Sequence, residues 1–281
     1  PSWPMIAENC QTLVLFGGIG LKNGQVTAGG NARHETRDWL LRCRQTGVSF
    51  FNISPCKEDS WAGLEAEWIA LRPNSDMALM LGLAHVLEEE NLVDRAFLAT
   101  YTFGYDRFRA YLLGERDGVR KDAEWASRLT GISPATILSL ARRMARTRCL
   151  ISVSWSVQRA ENGEQPYWMA TVLAAMLGQI GLPGRGIAFG LGSLGDIGNP
   201  ALHFGGLALP QGYNRVKQYI PVARIADMLL NPGGLYRYDG KELSYPDIRL
   251  IYWCGGNPFH HHQDLFRLRD AWNRPDTVIV H

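Results

Sequence analysis

Short apolar runs, each closed by glycine or proline and followed by a polar or amphipathic stretch, recur along the chain. Residues 13–16 form such a run, ended by Gly17-Gly18-Ile19-Gly20. Over residues 32–46, Trp39, Leu40 and Cys43 make an apolar stripe among Arg and Glu, which predicts a helix, and Gly47 suits its close. Residues 48–53, with Val48, Phe50, Phe51 and Ile53, read as a largely apolar strand buried on both faces, and Ser54-Pro55 ends them. A weaker strand is expected at 67–71. Arg72-Pro73-Asn74-Ser75-Asp76 then leads into a strongly amphipathic helix over 75–90. Shorter helices are expected at 94–101, 105–113 and 123–129. Ser133-Pro134 supplies an N-cap and a first-turn proline for a helix over 134–146. Residues 149–154 read as another buried strand, and 166–180 as an apolar helix. Residues 181–214 are rich in Gly and Pro, the pattern of a long irregular segment that is functional or packed across the fold. A helix at 221–230, a strand at 248–254, a helix at 264–272 and a strand at 277–281 complete the chain.

Strands alternating with helices predict an α/β fold: a doubly wound, Rossmann-like, mostly parallel sheet with part of a second, related α/β domain. The boundaries expected are 1–165 for a first dinucleotide-binding domain, 166–240 for a helix and glycine-rich crossing segment, and 241–281 for part of the second domain. The chain echoes itself. When Gly17-Gly18 is laid on Gly255-Gly256, each follows an apolar run and Gln25 falls on Gln263. Two strand–Gly-Gly–turn units suggest two related nucleotide-type sites.

Composition narrows the function classes. A net charge of +2 over 281 residues gives no footprint for nucleic acid or an acidic membrane surface. No apolar run approaches the roughly 20 residues of a membrane span. Cys10, Cys43, Cys56, Cys149 and Cys254 are scattered without a CxxC pair, which argues against a zinc knuckle, an iron–sulfur cluster or a disulfide scaffold. The chain begins with Pro1 and stops at His281 at the end of an expected strand, and is read as an excerpt of a longer protein.

In doubly wound folds ligands sit beyond the carboxyl ends of the strands. The unusual polar clusters fall there: Lys22-Asn23, Ser54, Asn74–Asp76, Ser154–Arg159, Asn257–His261 and His281. Each has a plain alternative. A Gly-Gly pair lets backbone approach a ligand, or merely makes a tight strand-to-helix turn. Asp76 could accept hydrogen bonds from a guanine edge, or serve as a first-turn acid facing the helix dipole. Arg159 could grip a phosphate, or be a surface arginine. His260-His261-His262 cannot converge on one ion from a strand or helix, so hydrogen bonding to a polar ligand suits them better than zinc. Neither Gly-Gly turn is GxGxxG, which weakens a nicotinamide dehydrogenase.

Taken together, several segments resemble the molybdopterin oxidoreductases of the dimethyl-sulfoxide reductase family, and within it the biotin sulfoxide and trimethylamine-N-oxide reductase branch. They are LKNGQV at 21–26, NISP at 52–55, the run from RPNSD to GYDRF at 72–108, SWSVQR at 154–159, GLPGRGIAFG at 181–190 and GGNPFHHHQDL at 255–265. The resemblance implies a molybdenum ion held by two molybdopterin guanine dinucleotides on two related α/β domains, Mo-bis(molybdopterin guanine dinucleotide). It implies reduction of a small S-oxide or N-oxide by oxygen-atom transfer, with electrons from a donor protein or reductant. By motif, the dinucleotide contacts would be Lys22, Asn23, Ile53, Ser54, Asn74, Ser75, Asp76, Trp155, Ser156, Arg159, Asn257, His261 and His281. In that branch the metal-ligating serine lies upstream of the matching region, so no metal ligand is expected in this chain, and the piece alone is expected to be inactive. The competing reading is a stand-alone nucleotide-binding or assembly module without redox chemistry.

Overall fold

The computed structural model describes residues 1–27, 30–200, 209–210, 212–213, 215–216 and 218–281. The chain divides into two compact units, Pro1–Phe204 and Gly205–His281. The first contains α1 (Trp3–Asn9), β1 (Thr12–Phe16), the small antiparallel pair β2 (Val26–Thr27) and β3 (Gly30–Asn31), α2 (Thr36–Gln45), β4 (Ser49–Ile53) and β5 (Glu67–Ile69). It continues with α3 (Asp76–Glu89), α4 (Arg95–Tyr101), α5 (Tyr105–Leu112), α6 (Ala123–Thr130), α7 (Pro134–Arg146), β6 (Cys149–Val153), α8 (Gln165–Met176) and β7 (Gly186–Phe189).

Five strands form one sheet in the order β5-β4-β1-β6-β7, and every neighbouring pair is parallel. β1 lies at the centre and all five of its residues are buried. Its alternation feeds two cores. Val14 and Phe16, with Ile53, Ile151 and Val153, pack against α3, α7 and α8; Leu13 and Leu15, with Phe50 and Leu150, pack against α1 and α2. Each such side chain is worth roughly 1.5–3 kcal/mol when fully buried, so both faces of the sheet demand helical cover. This is the expected doubly wound α/β architecture. From β1 the chain winds outward through β4 and β5 on one side, then crosses to β6 and β7 on the other. The reversal between β1 and β6 leaves a crevice at their carboxyl ends.

Local signals explain many element ends. Gly47 follows α2 with φ +90°, and the Ser133 hydroxyl accepts the Thr136 amide at the start of α7. Three expectations change. The 75–90 helix is not amphipathic: residues 79–88 of α3 are all buried, because α3 is packed by α6, α7 and α8. The helix expected at 166–180 ends at Met176, where Leu177 leads into Gly178 at φ +62°. The glycine-rich 181–214 segment is not wholly irregular, since β7 extends the main sheet from within it; residues 201–208, 211 and 214 of that segment lie outside the described residues.

The second unit contains α9 (Ile225–Leu230), the antiparallel pair β8 (Leu235–Tyr238) and β9 (Lys241–Ser244), β10 (Leu250–Trp253), α10 (Pro258–His261), α11 (Leu265–Trp272) and β11 (Thr277–Val280). β10 and β11 pair in parallel. Its core joins Ala226, Met228 and Leu229 of α9 to Leu268 and Ala271 of α11, beside Tyr236 and Tyr245 stacked at 4.4 Å.

Candidate functional site

A cavity of about 580 Å³ opens at the carboxyl ends of β1 and β6. Its floor is the Gly17-Gly18 turn. Gly17 has φ +82° and Gly18 φ +73°, a conformation that a residue with a Cβ seldom adopts. The turn is tied to both neighbouring strands: the Gly17 amide donates to the Ile53 carbonyl at 2.9 Å, and the Ser154 amide to the Phe16 carbonyl at 2.8 Å. Room is short on its closed side, where a Cβ on Gly17 would lie 2.9 Å from Ser154 Cβ and Val157 Cγ2.

Lys22 and Asn23 follow the turn and line the cavity; Trp155, Ser156 and Arg159 line it from the segment after β6. That segment is a 3₁₀ turn over Trp155–Gln158, fixed by hydrogen bonds. Tyr167 Oη donates to the Ser154 carbonyl at 2.7 Å and accepts the Gln158 amide at 3.1 Å. The Trp155 amide donates to Ser193 Oγ at 3.3 Å, and Ser154 Oγ lies 3.1 Å from Ser156 Oγ. Lys22 and Arg159 take part in no ion pair or side-chain hydrogen bond among the described residues, so both cations are free to meet an anion. Glycine backbone, two unpaired cations and hydroxyls suit a pyrophosphate-bearing ligand, and the volume lies within the usual range of roughly 300–1,000 Å³ for small-molecule sites.

Gln158, within the expected Ser154–Arg159 cluster, also lines the cavity; sequence reasoning missed Asp59 and residues 191–194, which line it too. Asp59 could have been found as the acid that follows the second strand. Residues 191–194 lie within Gly190-Leu191-Gly192-Ser193-Leu194-Gly195, a GxGxxG run directly after β7 that could have marked them, although no helix follows it at once.

The remaining candidates of the first unit lie elsewhere. Ile53 is buried in the core and contributes its carbonyl to the turn. Ser54 is buried; its hydroxyl donates to Asp59 Oδ2 and accepts the Cys56 amide, while its carbonyl accepts Trp68 Nε1. Asn74, Ser75 and Asp76 form the turn into α3 and do not line this cavity. Asn74 has φ +62°, and Ser75 Oγ donates to the Arg72 carbonyl at 2.6 Å. Burial raises the Asp76 carboxyl above its usual range, against a hydrogen bond from its own backbone. Burial also raises the Tyr167 hydroxyl, against the hydrogen bond from the Gln158 backbone, and the charge of Asp76 adds a smaller push in the same direction as burial.

In the second unit, Gly255 and Gly256 have φ +71° and +70°, matching the conformation of Gly17-Gly18. Asn257 Oδ1 accepts the Phe259 amide at 3.0 Å and caps α10, on which His261 is exposed. His281 Nε2 lies 2.7 Å from Tyr252 Oη, so His281 stands at the carboxyl end of the β10–β11 pair.

A family profile described as molybdopterin oxidoreductase matches residues 24–281. Biotin sulfoxide reductase of Cereibacter sphaeroides is 51% identical over 275 residues, covering 98% of this chain and 37% of that protein. Dimethyl sulfoxide/trimethylamine N-oxide reductase of Rhodobacter capsulatus is 39% identical, covering 100% of this chain and 35% of that protein. Trimethylamine-N-oxide reductase of Haemophilus influenzae is 40% identical over 99% of this chain and 35% of that protein. This chain thus spans little more than a third of these relatives. Among solved structures, acetylene hydratase from Pelobacter acetylenicus shares the fold with TM-score 0.50 at 18% identity, over 62% of this chain and 22% of that one. On the family profile and these relatives, the chain belongs to the molybdopterin oxidoreductase family.

Proposed function

We propose that this chain is the central cofactor-binding part of a molybdenum oxidoreductase that reduces S-oxides or N-oxides, its metal carried by two molybdopterin guanine dinucleotides. The observation that carries the reading is the cavity at the β1–β6 reversal, with a paired-glycine floor and two uncommitted cations. The names of the relatives support the substrate class. When bound, the cofactor supplies the oxygen-atom transfer, with electrons from a separate donor. The chain's own residues bind and orient. Lys22 and Arg159 offset pyrophosphate charge, each contact worth about 1.5–3 kcal/mol as a charged hydrogen bond. Trp155 and Ser156 shape the same wall, and Asn23 offers an amide. Ser54 and the Ile53 carbonyl hold the turn in place. Asp76, with Asn74 and Ser75 setting its approach, accepts from the guanine edge. Asn257, His261 and His281 serve the second dinucleotide through the matching Gly255-Gly256 turn.

Two measurements test this. The whole protein should contain molybdenum and release a guanine nucleotide on denaturation; absence of both defeats the assignment. Lys22→Ala, Arg159→Ala and Asn257→Ala should each lower that content, and normal loading in all three refutes the placement. The 281-residue chain alone is expected to turn over no S-oxide or N-oxide, because it supplies only part of the cofactor's surroundings. Turnover by the isolated chain would overturn that part of the reading.

A further inference from the structure

We propose that Asp59 is the carboxylate that reads the ribose hydroxyls of the nucleotide bound at the Gly17-Gly18 turn. The proposal rests on reading that cavity as a nucleoside-diphosphate site, and it assigns the ribose to one side chain.

The case begins with topology. In dinucleotide folds an acid about 20 residues past the glycines accepts hydrogen bonds from ribose, at the end of the strand next to the first. The acids near that spacing, Glu35 and Asp38, stand at the start of α2 and not at the end of β4. Here, however, β4 is the strand that follows β1 through a helix and pairs with it in parallel. The chain runs on from the end of β4 at Ile53 and presents Asp59 in the cavity. A longer chain path thus delivers an acid to the same place beside the first strand.

The position is fixed rather than incidental. The Ile19 amide donates to Ser60 Oγ at 3.1 Å, and the Trp61 amide to the Ile19 carbonyl at 3.2 Å. These bonds zip the segment carrying Asp59 onto the glycine turn, so closely that a Cβ on Gly18 would lie 2.5 Å from the Asp59 carbonyl oxygen. The buried Ser54 hydroxyl donates to Asp59 Oδ2. No other side-chain hydrogen bond and no ion pair to Asp59 occurs among the described residues, although Lys22 and Arg159 line the same cavity.

A carboxylate beside a phosphate site is unfavourable unless its free lone pairs meet donors. A nucleotide's donors closest to its 5′-phosphate are the ribose hydroxyls. Phosphate on Lys22, Arg159 and the turn, with the ribose diol on Asp59, gives every charged group in the cavity a partner of the correct sense.

The test uses the whole protein in cofactor-free form, titrated with guanosine 5′-diphosphate and with 2′,3′-dideoxyguanosine 5′-diphosphate. The wild type should prefer the diol by roughly ten- to a hundredfold, the range of a charged hydrogen bond. Asp59→Ala should lose that preference by weakening the diol ligand alone, and Asp59→Asn should keep part of it. A purely structural Asp59 would weaken both ligands together. Equal affinity of the wild type for the two diphosphates, or an undiminished preference in Asp59→Ala, overturns the proposal and leaves the nucleotide site standing. Binding of neither diphosphate removes the site reading itself, and the proposal with it.

Discussion

The two paired-glycine turns share a backbone conformation but not a neighbourhood, and alanine substitution should separate the two effects. Gly18 and Gly256 have φ +73° and +70°. An alanine at either pays the left-handed conformational cost, about 1–2 kcal/mol. At Gly256 nothing lies within 4 Å of the added Cβ. At Gly18 the Cβ would meet the Asp59 backbone, 2.5 Å from its carbonyl oxygen and 2.7 Å from its carbonyl carbon. That backbone cannot easily retreat, because Ser60 and Trp61 are bonded to Ile19. Overpacking of this kind adds about 1–3 kcal/mol. Gly18→Ala should therefore cost about 2–5 kcal/mol, and Gly256→Ala about 1–2 kcal/mol. Native-state hydrogen exchange on cofactor-free protein is the suitable assay, because amides of β1 and of β10 report each unit's opening free energy separately. A loss at Gly18→Ala no larger than that at Gly256→Ala would refute the steric half of the reasoning.

Three further outcomes are expected. Because burial raises the Asp76 carboxyl in the fold, the unfolded chain ionises first as pH rises; ionisation then costs stability, fully so above the raised value. Asp76→Asn should raise the thermal midpoint of cofactor-free protein at pH 7, with the gain vanishing below about pH 4, the ordinary Asp range; an unchanged midpoint at pH 7 speaks against it. Glu88 is buried and takes hydrogen bonds from Arg95 at 2.7 Å, Tyr105 Oη at 2.7 Å and Arg109 at 2.5 Å, joining α3, α4 and α5. Burial works to raise its carboxyl, but the three bonds outweigh it and hold the group below its usual range, so its contribution is present at neutral pH and is lost as pH falls through that lowered value. Glu88→Ala should cost about 3 kcal/mol by denaturant unfolding at pH 7, and less in acid. Finally, burial pushes the Cys10 thiol up to about 11, Cys43 to about 12 and Cys149 well upward, whereas Cys56 and Cys254 are exposed. A thiol reagent at pH 8 should label Cys56 and Cys254 in the folded protein and all five cysteines after denaturation.

What could be read from the sequence follows the range of the interactions. β1, β4 and β6 announce themselves because a strand buried on both faces is largely apolar, and α7 because Ser133-Pro134 is a local start signal. β8 and β9 passed unnoticed despite Asp239-Gly240, a dipeptide suited to a two-residue hairpin turn, with φ +51° and +69° here. α1 is different: seven residues with a proline carry little intrinsic preference, and the helix exists because Trp3, Ile6 and Ala7 are buried against the sheet. β7 likewise owes its existence to pairing with β6 rather than to its own residues.

The same distinction governs the site. Two successive glycines after a strand dictate a backbone path, and both turns take it. They do not dictate a cavity. Around Gly17-Gly18 the walls come from Asp59, from Ser154–Arg159 and from residues 191–194, brought together because β4 and β6 flank β1 on opposite sides. Lys22 and Arg159 are 137 positions apart in sequence (159 minus 22), and neither alone would outweigh the reading of an ordinary surface cation. Their convergence at the point where the sheet reverses direction gives each a role. A glycine pair is thus weak evidence for a ligand until strand order is known, and strand order is what lends meaning to the motif, since it decides which distant residues the turn will face.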